Sequence, residues 1–133
     1  MSAINKLIDL YKNKRKQKYL EQSSSYKNKY AFVGVGNHSI SNLYPIVDFL
    51  AVPLKYISTS RIENATKLAQ KYKDCTGTND LDVIGKDNDV KGVFVCTSPS
   101  SHFAIVKKLL SFQKNVFVEK PPCKSLLELE ELI

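Results

Sequence analysis

From Tyr30 onward the chain alternates short, unbroken apolar runs with longer segments whose apolar residues recur at helical spacing. No other feature constrains the fold as much. "YAFVGV" (30–35), "LKYIST" (54–59), "GVFVCT" (92–97) and "NVFVEK" (115–120) are β-branched and aromatic runs of strand length, and a shorter strand is expected near Cys75–Thr78. Between them the spacing predicts a helix over 38–50, with Pro45 as a kink or a late start, and one over 61–72 with Ala65, Leu68, Ala69 and Tyr72 on one side. A helical turn over 80–85 and helices over 101–112 and 125–133 complete the series. In the last helix Ser125-x-x-Glu128 forms a capping box, and Leu126, Leu129, Leu132 and Ile133 make an apolar side. Continuous apolar strands separated by helices imply a parallel sheet covered on both faces. The expected class is α/β, a doubly wound parallel sheet preceded by a helical extension.

A chain of 133 residues suffices for one domain with a sizeable core. The net charge of +7 is unevenly spread: residues 1–29 carry eight Lys or Arg against two acids, whereas residues 30–133 carry twelve against eleven. The basic excess therefore belongs to an N-terminal appendage. There Ile4, Leu7, Ile8 and Tyr11 form one apolar stripe, followed by "KNKRKQK" (12–18) and a linker, "SSSYKNK". Such a segment suits nucleic acid or an anionic membrane surface, but without aromatic interleaving or a nucleic-acid motif the expectation is a helix docked on its own domain with a solvated basic face. Neither nucleic acid nor a membrane is an expected partner. Cys75, Cys96 and Cys123 lack the spacing of a disulfide framework or a metal site, so no metal is expected. With no signal peptide and no apolar run of membrane-spanning length, the cytoplasm is the expected location.

Within the first βα unit, "FVGVGNHS" (32–39) ends a strand in Gly-x-Gly and opens a helix. That context favours a dinucleotide-binding turn, with a purely structural turn as the alternative. Gly34 permits the tight turn, and Gly36 lets a pyrophosphate approach the backbone at a helix N-terminus, beside Asn37. Ser39 stands where the third, packing glycine would fall, and is small enough to substitute in part. His38 either touches the pyrophosphate or is incidental.

The second strand bears on cofactor type. NAD-specific folds commonly end it with Asp or Glu to bind the ribose hydroxyls. Here it ends "ISTSR". Thr59 and Ser60 offer hydroxyl donors and Arg61 a guanidinium for a 2′-phosphate, which favours NADP over NAD. The alternative makes Ser60 a helix cap and Arg61 a solvated first-turn residue.

"VFVCTSPSSHFAIVKKLLSFQKNVFVEKPP" resembles the Gfo/Idh/MocA oxidoreductases, and the resemblance covers roughly residues 30–133. It implies the Rossmann fold and the cofactor-binding part of a two-domain NAD(P)-dependent enzyme acting on hydroxyl or keto groups of sugar- or cyclitol-like small molecules. Thr97, Pro99 and His102 match family positions beside the cofactor, Glu119 the glutamate lining the nicotinamide side, and Lys120 the lysine facing the substrate hydroxyl. Ser98 departs from the family's usual proline. The domain expectation is residues 1–29 as basic extension and linker and residues 30–133 as the NAD(P)-binding domain, with the family's C-terminal substrate domain absent. Both histidines are expected in cofactor loops, so the isolated chain is expected to lack a partner acid or base and to be inactive. Three classes stay open: the cofactor domain of a sugar-type oxidoreductase, a non-catalytic dinucleotide-binding or interaction module, and a scaffold for the basic tail. Self-association into a homo-oligomer is a further possibility.

Overall fold

A computed structural model describes residues 3–21 and 29–133. Five strands, β1 (Lys29–Val33), β2 (Leu54–Ser58), β3 (Thr76–Thr78), β4 (Val90–Val95) and β5 (Asn115–Val118), form one sheet. All neighbours are parallel, in the order β3-β2-β1-β4-β5. The order reverses at β1, so β2 and β4 diverge from it on opposite sides and open a crevice at their carboxyl ends.

The α-helices among the described residues are α1 (Ala3–Glu21), α2 (Tyr44–Phe49), α3 (Ile62–Ala69), α4 (Leu81–Lys86), α5 (Pro99–Ser111) and α6 (Leu126–Leu132). Alternation along β1 divides the core into two layers. Phe32 points to one face, with Tyr44, Val47, Ala65 and Ala69 of α2 and α3. Ala31 and Val33 point to the other, with Ile84 of α4 and Leu109 of α5. Burial on both faces is why the strands read as unbroken apolar runs.

Local differences from the sequence reading have physical reasons. Each strand that feeds the crevice ends about two residues earlier than its apolar run, because the run continues into the turn. Pro45 falls in the first turn of α2, where its missing N–H is harmless, and the chain reaches it through a π-helical turn over Ser39–Leu43. Helix α5 starts at Pro99 rather than residue 101, since proline suits a first helical position. His102 thus lies in the first turn of a helix and not in a loop. In α6 the Ser125 hydroxyl accepts from the Glu128 N–H at 3.2 Å, but the Glu128 carboxylate takes the N–H of Lys124 rather than that of Ser125.

Helix α1 does not dock as expected: Ile4, Leu7 and Tyr11 are all more than half exposed. The expected linker lies, except for Lys29, outside the described residues. Among the described residues no helix is long and apolar enough to cross a membrane.

At the amino end of the sheet, Asp87 ties several elements together. Its carboxylate lies 2.7 Å from the Lys55 ammonium and accepts the Tyr56 hydroxyl at 2.8 Å. Its carbonyl accepts from the buried Lys114 ammonium at 2.7 Å. This buttress lies opposite the crevice and leaves the carboxyl ends free.

Candidate functional site

The crevice is a cleft of about 920 Å³ over the carboxyl ends of the strands. Its first wall is the turn after β1. Gly34 adopts φ +124°, and a Cβ there would overlap the Cys96 carbonyl of the adjacent strand end. The position therefore requires glycine. Gly36 differs: a Cβ there would meet nothing within 4 Å, because the space over it is the cleft itself.

Ser39 does more than fill a glycine's place. It is fully buried, and its hydroxyl accepts the Gly36 N–H at 2.9 Å and donates back to the Gly36 carbonyl at 2.9 Å. The Tyr44 hydroxyl donates to the Gly34 carbonyl at 3.1 Å, its ring stacked on Phe32 at 4.2 Å. Burial pushes the Tyr44 hydroxyl well above the ordinary phenol range, so it stays a donor. The first helical hydrogen bond after the turn runs from Ile40 N–H to the Gly36 carbonyl at 3.0 Å. The N–H groups of Asn37, His38 and Ser39 precede that bond, so helix geometry leaves them without intrahelical acceptors. Asn37 and His38 are exposed in the cleft, and Asn42 holds the His38 ring at 3.1 Å.

The second wall is the end of β2. Ser60 and Arg61 are exposed and line the cleft together with Asn64 and Asn79. Arg61, not Ser60, occupies the cap position of α3, and no side chain caps that helix. The alternative reading of Ser60 as a helix cap is thereby set aside. Among the described residues no carboxylate pairs with Arg61.

The far wall combines the start of α5 with the end of β5. The Ser101 hydroxyl donates to Thr97 Oγ1 at 2.8 Å and orients it. The Glu119 N–H donates to the Val95 carbonyl at 2.9 Å, extending the ladder one residue past β5. Lys120 follows, exposed, and a cis peptide joins it to Pro121. His102 is 1% exposed, with Nδ1 2.7 Å from the Pro121 carbonyl and Nε2 3.1 Å from the Thr97 carbonyl. Cys96 is buried beneath, and burial together with the Glu119 charge pushes its thiol up.

Gly34, Gly36, Asn37, His38, Ser60, Arg61, Thr97, Pro99, His102, Glu119 and Lys120 all line this one cleft. Sequence reasoning missed Ser101, Asn64 and Asn79, and read Ser39 only as a partial substitute for a packing glycine. Asn64 stands three residues after Arg61 on α3 and Asn79 directly follows β3, so helix spacing and the strand-end rule were signals available for both. Glu119 is the one carboxylate among the lining residues, against Arg61 and Lys120. Open space over Gly36, unused N–H groups beside it and an excess of cations suit an extended anionic ligand such as a dinucleotide. Among the described residues no cluster of His, Cys, Asp or Glu could hold a metal ion.

The family model for the Gfo/Idh/MocA group, described as an oxidoreductase family with an NAD-binding Rossmann fold, matches residues 28–133. The uncharacterized oxidoreductase YhhX of Escherichia coli (strain K12) is 49% identical over 61 residues, which is 46% of this chain and 18% of that protein. A crystal structure of a probable oxidoreductase yhhX superposes with a TM-score of 0.70 at 34% identity, covering 79% of this chain and 31% of that one. Galactose 1-dehydrogenase of Pseudomonas fluorescens is 36% identical over 63 residues, 44% of this chain and 21% of that enzyme. KijD10, a 3-ketoreductase from Actinomadura kijaniata in complex with TDP-benzene and NADP, shares the fold with a TM-score of 0.70 at 18% identity over 79% of this chain and 33% of that one. The matched region spans no more than about a third of any of these proteins.

Proposed function

The chain belongs to the Gfo/Idh/MocA oxidoreductase family, and on that premise we propose that its cleft seats NADP(H) in preference to NAD(H), for redox exchange with a hydroxyl or keto carbon of a sugar- or cyclitol-like molecule. The observation that carries this reading is the end of β2. Arg61 and Ser60 face the cleft there without a carboxylate, and Glu119, the one lining carboxylate, belongs to the opposite wall. A carboxylate at the β2 end would bind the two ribose hydroxyls of NAD and repel a 2′-phosphate, whereas a guanidinium pairs with the phosphate through two parallel N–H groups. The NADP bound in the ketoreductase of the same fold and the sugar acted on by galactose 1-dehydrogenase support the same cofactor and substrate classes.

When bound, the nicotinamide supplies the hydride acceptor or donor. The chain's own residues do the rest. Asn37 and His38 direct backbone N–H groups at the pyrophosphate, over the open space at Gly36. Ser60 and Arg61 hold the adenosine end. Thr97, Pro99 and Glu119 line the nicotinamide end. The Lys120 ammonium holds a proton at Nζ beside the reacting oxygen, polarising a carbonyl or stabilising a developing alkoxide. Residues 30–133 thus provide the cofactor seat and one wall of the substrate pocket; the partner acid or base belongs to a second domain.

Calorimetry with NADP and NAD on wild type and Arg61→Ala tests the cofactor reading. Wild type should bind NADP roughly ten- to a hundredfold more tightly than the variant does, because a charge-assisted hydrogen bond contributes about 1.5–3 kcal/mol. NAD binding should be unchanged. Equal affinities for the two dinucleotides, or no effect of the substitution, would refute the preference.

A further inference from the structure

His102 lines the cleft, yet neither ring nitrogen is available to a ligand. Its ring is 1% exposed, Nδ1 faces the Pro121 carbonyl at 2.7 Å, and Nε2 faces the Thr97 carbonyl at 3.1 Å. We propose that His102 is a positioning residue, a clasp between the turn after β4 and the segment after β5, which fixes where Thr97 and Lys120 stand relative to each other. The inference rests on the dinucleotide reading above for the identity of the ligand, but its geometry belongs to the chain alone.

The segment after β5 explains the need for a clasp. The Glu119 N–H makes the last ladder bond, to the Val95 carbonyl at 2.9 Å. Pro121 and Pro122 follow, and proline has no N–H, so this stretch cannot fasten itself by donating to the sheet. It is held only through a carbonyl, and a carbonyl needs a donor brought to it. Among the described residues, the contact from His102 Nδ1 is the one polar contact to residues 120–123, and it is a hydrogen bond when Nδ1 carries the proton. Lys120, exposed on an otherwise untied segment, takes its position from that bond.

The other end of the ring meets Thr97, which lines the cleft together with Lys120. The Thr97 carbonyl takes the Nε2 contact, while its side chain is oriented separately by the Ser101 hydroxyl at 2.8 Å. Two carbonyls on different loops require donors at two ends of one rigid group, and imidazole is the side chain that presents ring nitrogens in that way. Carbonyl oxygens only accept, so the clasp closes at both ends when each ring nitrogen carries a proton; with one proton the ring holds one carbonyl and turns a lone pair to the other. Helix α5 delivers the group: His102 sits in its first turn, directly beneath Thr97, and Val106 and Leu109 bury the same helix against the sheet. The clasp is therefore anchored in the core while its ends reach two loops.

The test separates the nicotinamide half of the ligand from the rest. NADPH and 2′-phospho-ADP-ribose, which lacks the nicotinamide, are titrated into wild type, His102→Leu and His102→Gln; NADH and ADP-ribose form a parallel pair that does not depend on the cofactor preference. Wild type should favour the intact dinucleotide over the fragment. In His102→Leu that advantage should fall roughly five- to tenfold, the loss of about one hydrogen bond, while fragment affinity stays as in wild type. His102→Gln keeps an N–H donor and should recover part of the advantage. Parallel weakening of dinucleotide and fragment would show a merely structural role and overturn the proposal, as would an unchanged advantage in both variants. A measurement on wild type covers the case in which a variant fails to fold: a His102 ring N–H held by a buried carbonyl exchanges slowly in ¹H–¹⁵N spectra, and a freely exchanging one overturns the clasp. Wild type that binds neither dinucleotide would instead defeat the functional reading, and the positioning role with it.

Discussion

Valine at position 36 should empty the cleft of dinucleotide while leaving the domain folded. A Cβ at Gly36 meets nothing within 4 Å, and its backbone is outside the left-handed region, so a side chain there points into open space from an unstrained backbone. The folded state loses a favourable residue at a helix start, which costs about 1 kcal/mol. For a domain of this size that lowers the melting temperature by roughly 4–8 °C. Binding suffers far more, because the branched side chain stands where a pyrophosphate must approach the N–H groups of Asn37 and His38. Losing two charge-assisted hydrogen bonds, at about 1.5–3 kcal/mol each, predicts an affinity loss of at least about a hundredfold. Titration calorimetry with NADPH alongside thermal unfolding reads both quantities on one sample. Gly34→Ala provides the contrast: at φ +124° its Cβ overlaps the Cys96 carbonyl, so that variant should lose stability as well as binding. A Gly36→Val protein that melts normally and binds within about threefold of wild type would refute the placement of the pyrophosphate over this turn.

Two further outcomes are expected. Burial alone would raise the Asp87 carboxyl, but the Lys55 ammonium, the Asp89 N–H and the Tyr56 hydroxyl outweigh it and hold it down to about 2. The folded value lies below that of an unfolded aspartate, near 3.9, so the stabilisation is complete above about pH 4 and is lost as pH falls towards 2. Urea unfolding between pH 2 and 5 should show Asp87→Asn less stable at the upper end and with a flatter pH dependence; identical slopes would dismiss the buttress. Lys120→Met should leave dinucleotide affinity within about threefold. In an enzyme that joins this domain to a substrate domain, it should cut turnover by a hundredfold or more, and turnover near wild type would remove Lys120 from the chemistry.

The elements were legible because burial on both faces leaves a plain signature: unbroken runs such as "VFV" for strands and Ala65, Leu68, Ala69 and Tyr72 for a helix. Strand order was not, since β1, β2, β4 and β5 all carry similar apolar residues, and the packing of α2 and α3 on one face and α4 and α5 on the other goes with the sequence of neighbours. The π-helical turn at Ser39–Leu43 leaves no periodic trace in five residues. Some cleft residues were found by their place at strand ends, and Thr97, Pro99, His102, Glu119 and Lys120 by the family resemblance. What went unread were side chains that act on the backbone rather than on a ligand, such as Ser39 on Gly36 and Ser101 on Thr97: a serine in a turn carries no mark of its partner. The docked basic helix was misjudged because an apolar stripe states that a face is available, not that the same chain covers it.

The two walls of the cleft hang from opposite halves of the sheet, the β2 end with α3 on one side and the β4 and β5 ends with α5 on the other. Substitutions far apart and without shared partners combine additively. In evolutionary terms the fold is modular at this crevice. A lineage can exchange Arg61 or Ser60 and change which dinucleotide it accepts, and separately vary the residues around Lys120 and change what it reacts with. Neither step first has to pass through a variant damaged in the other property.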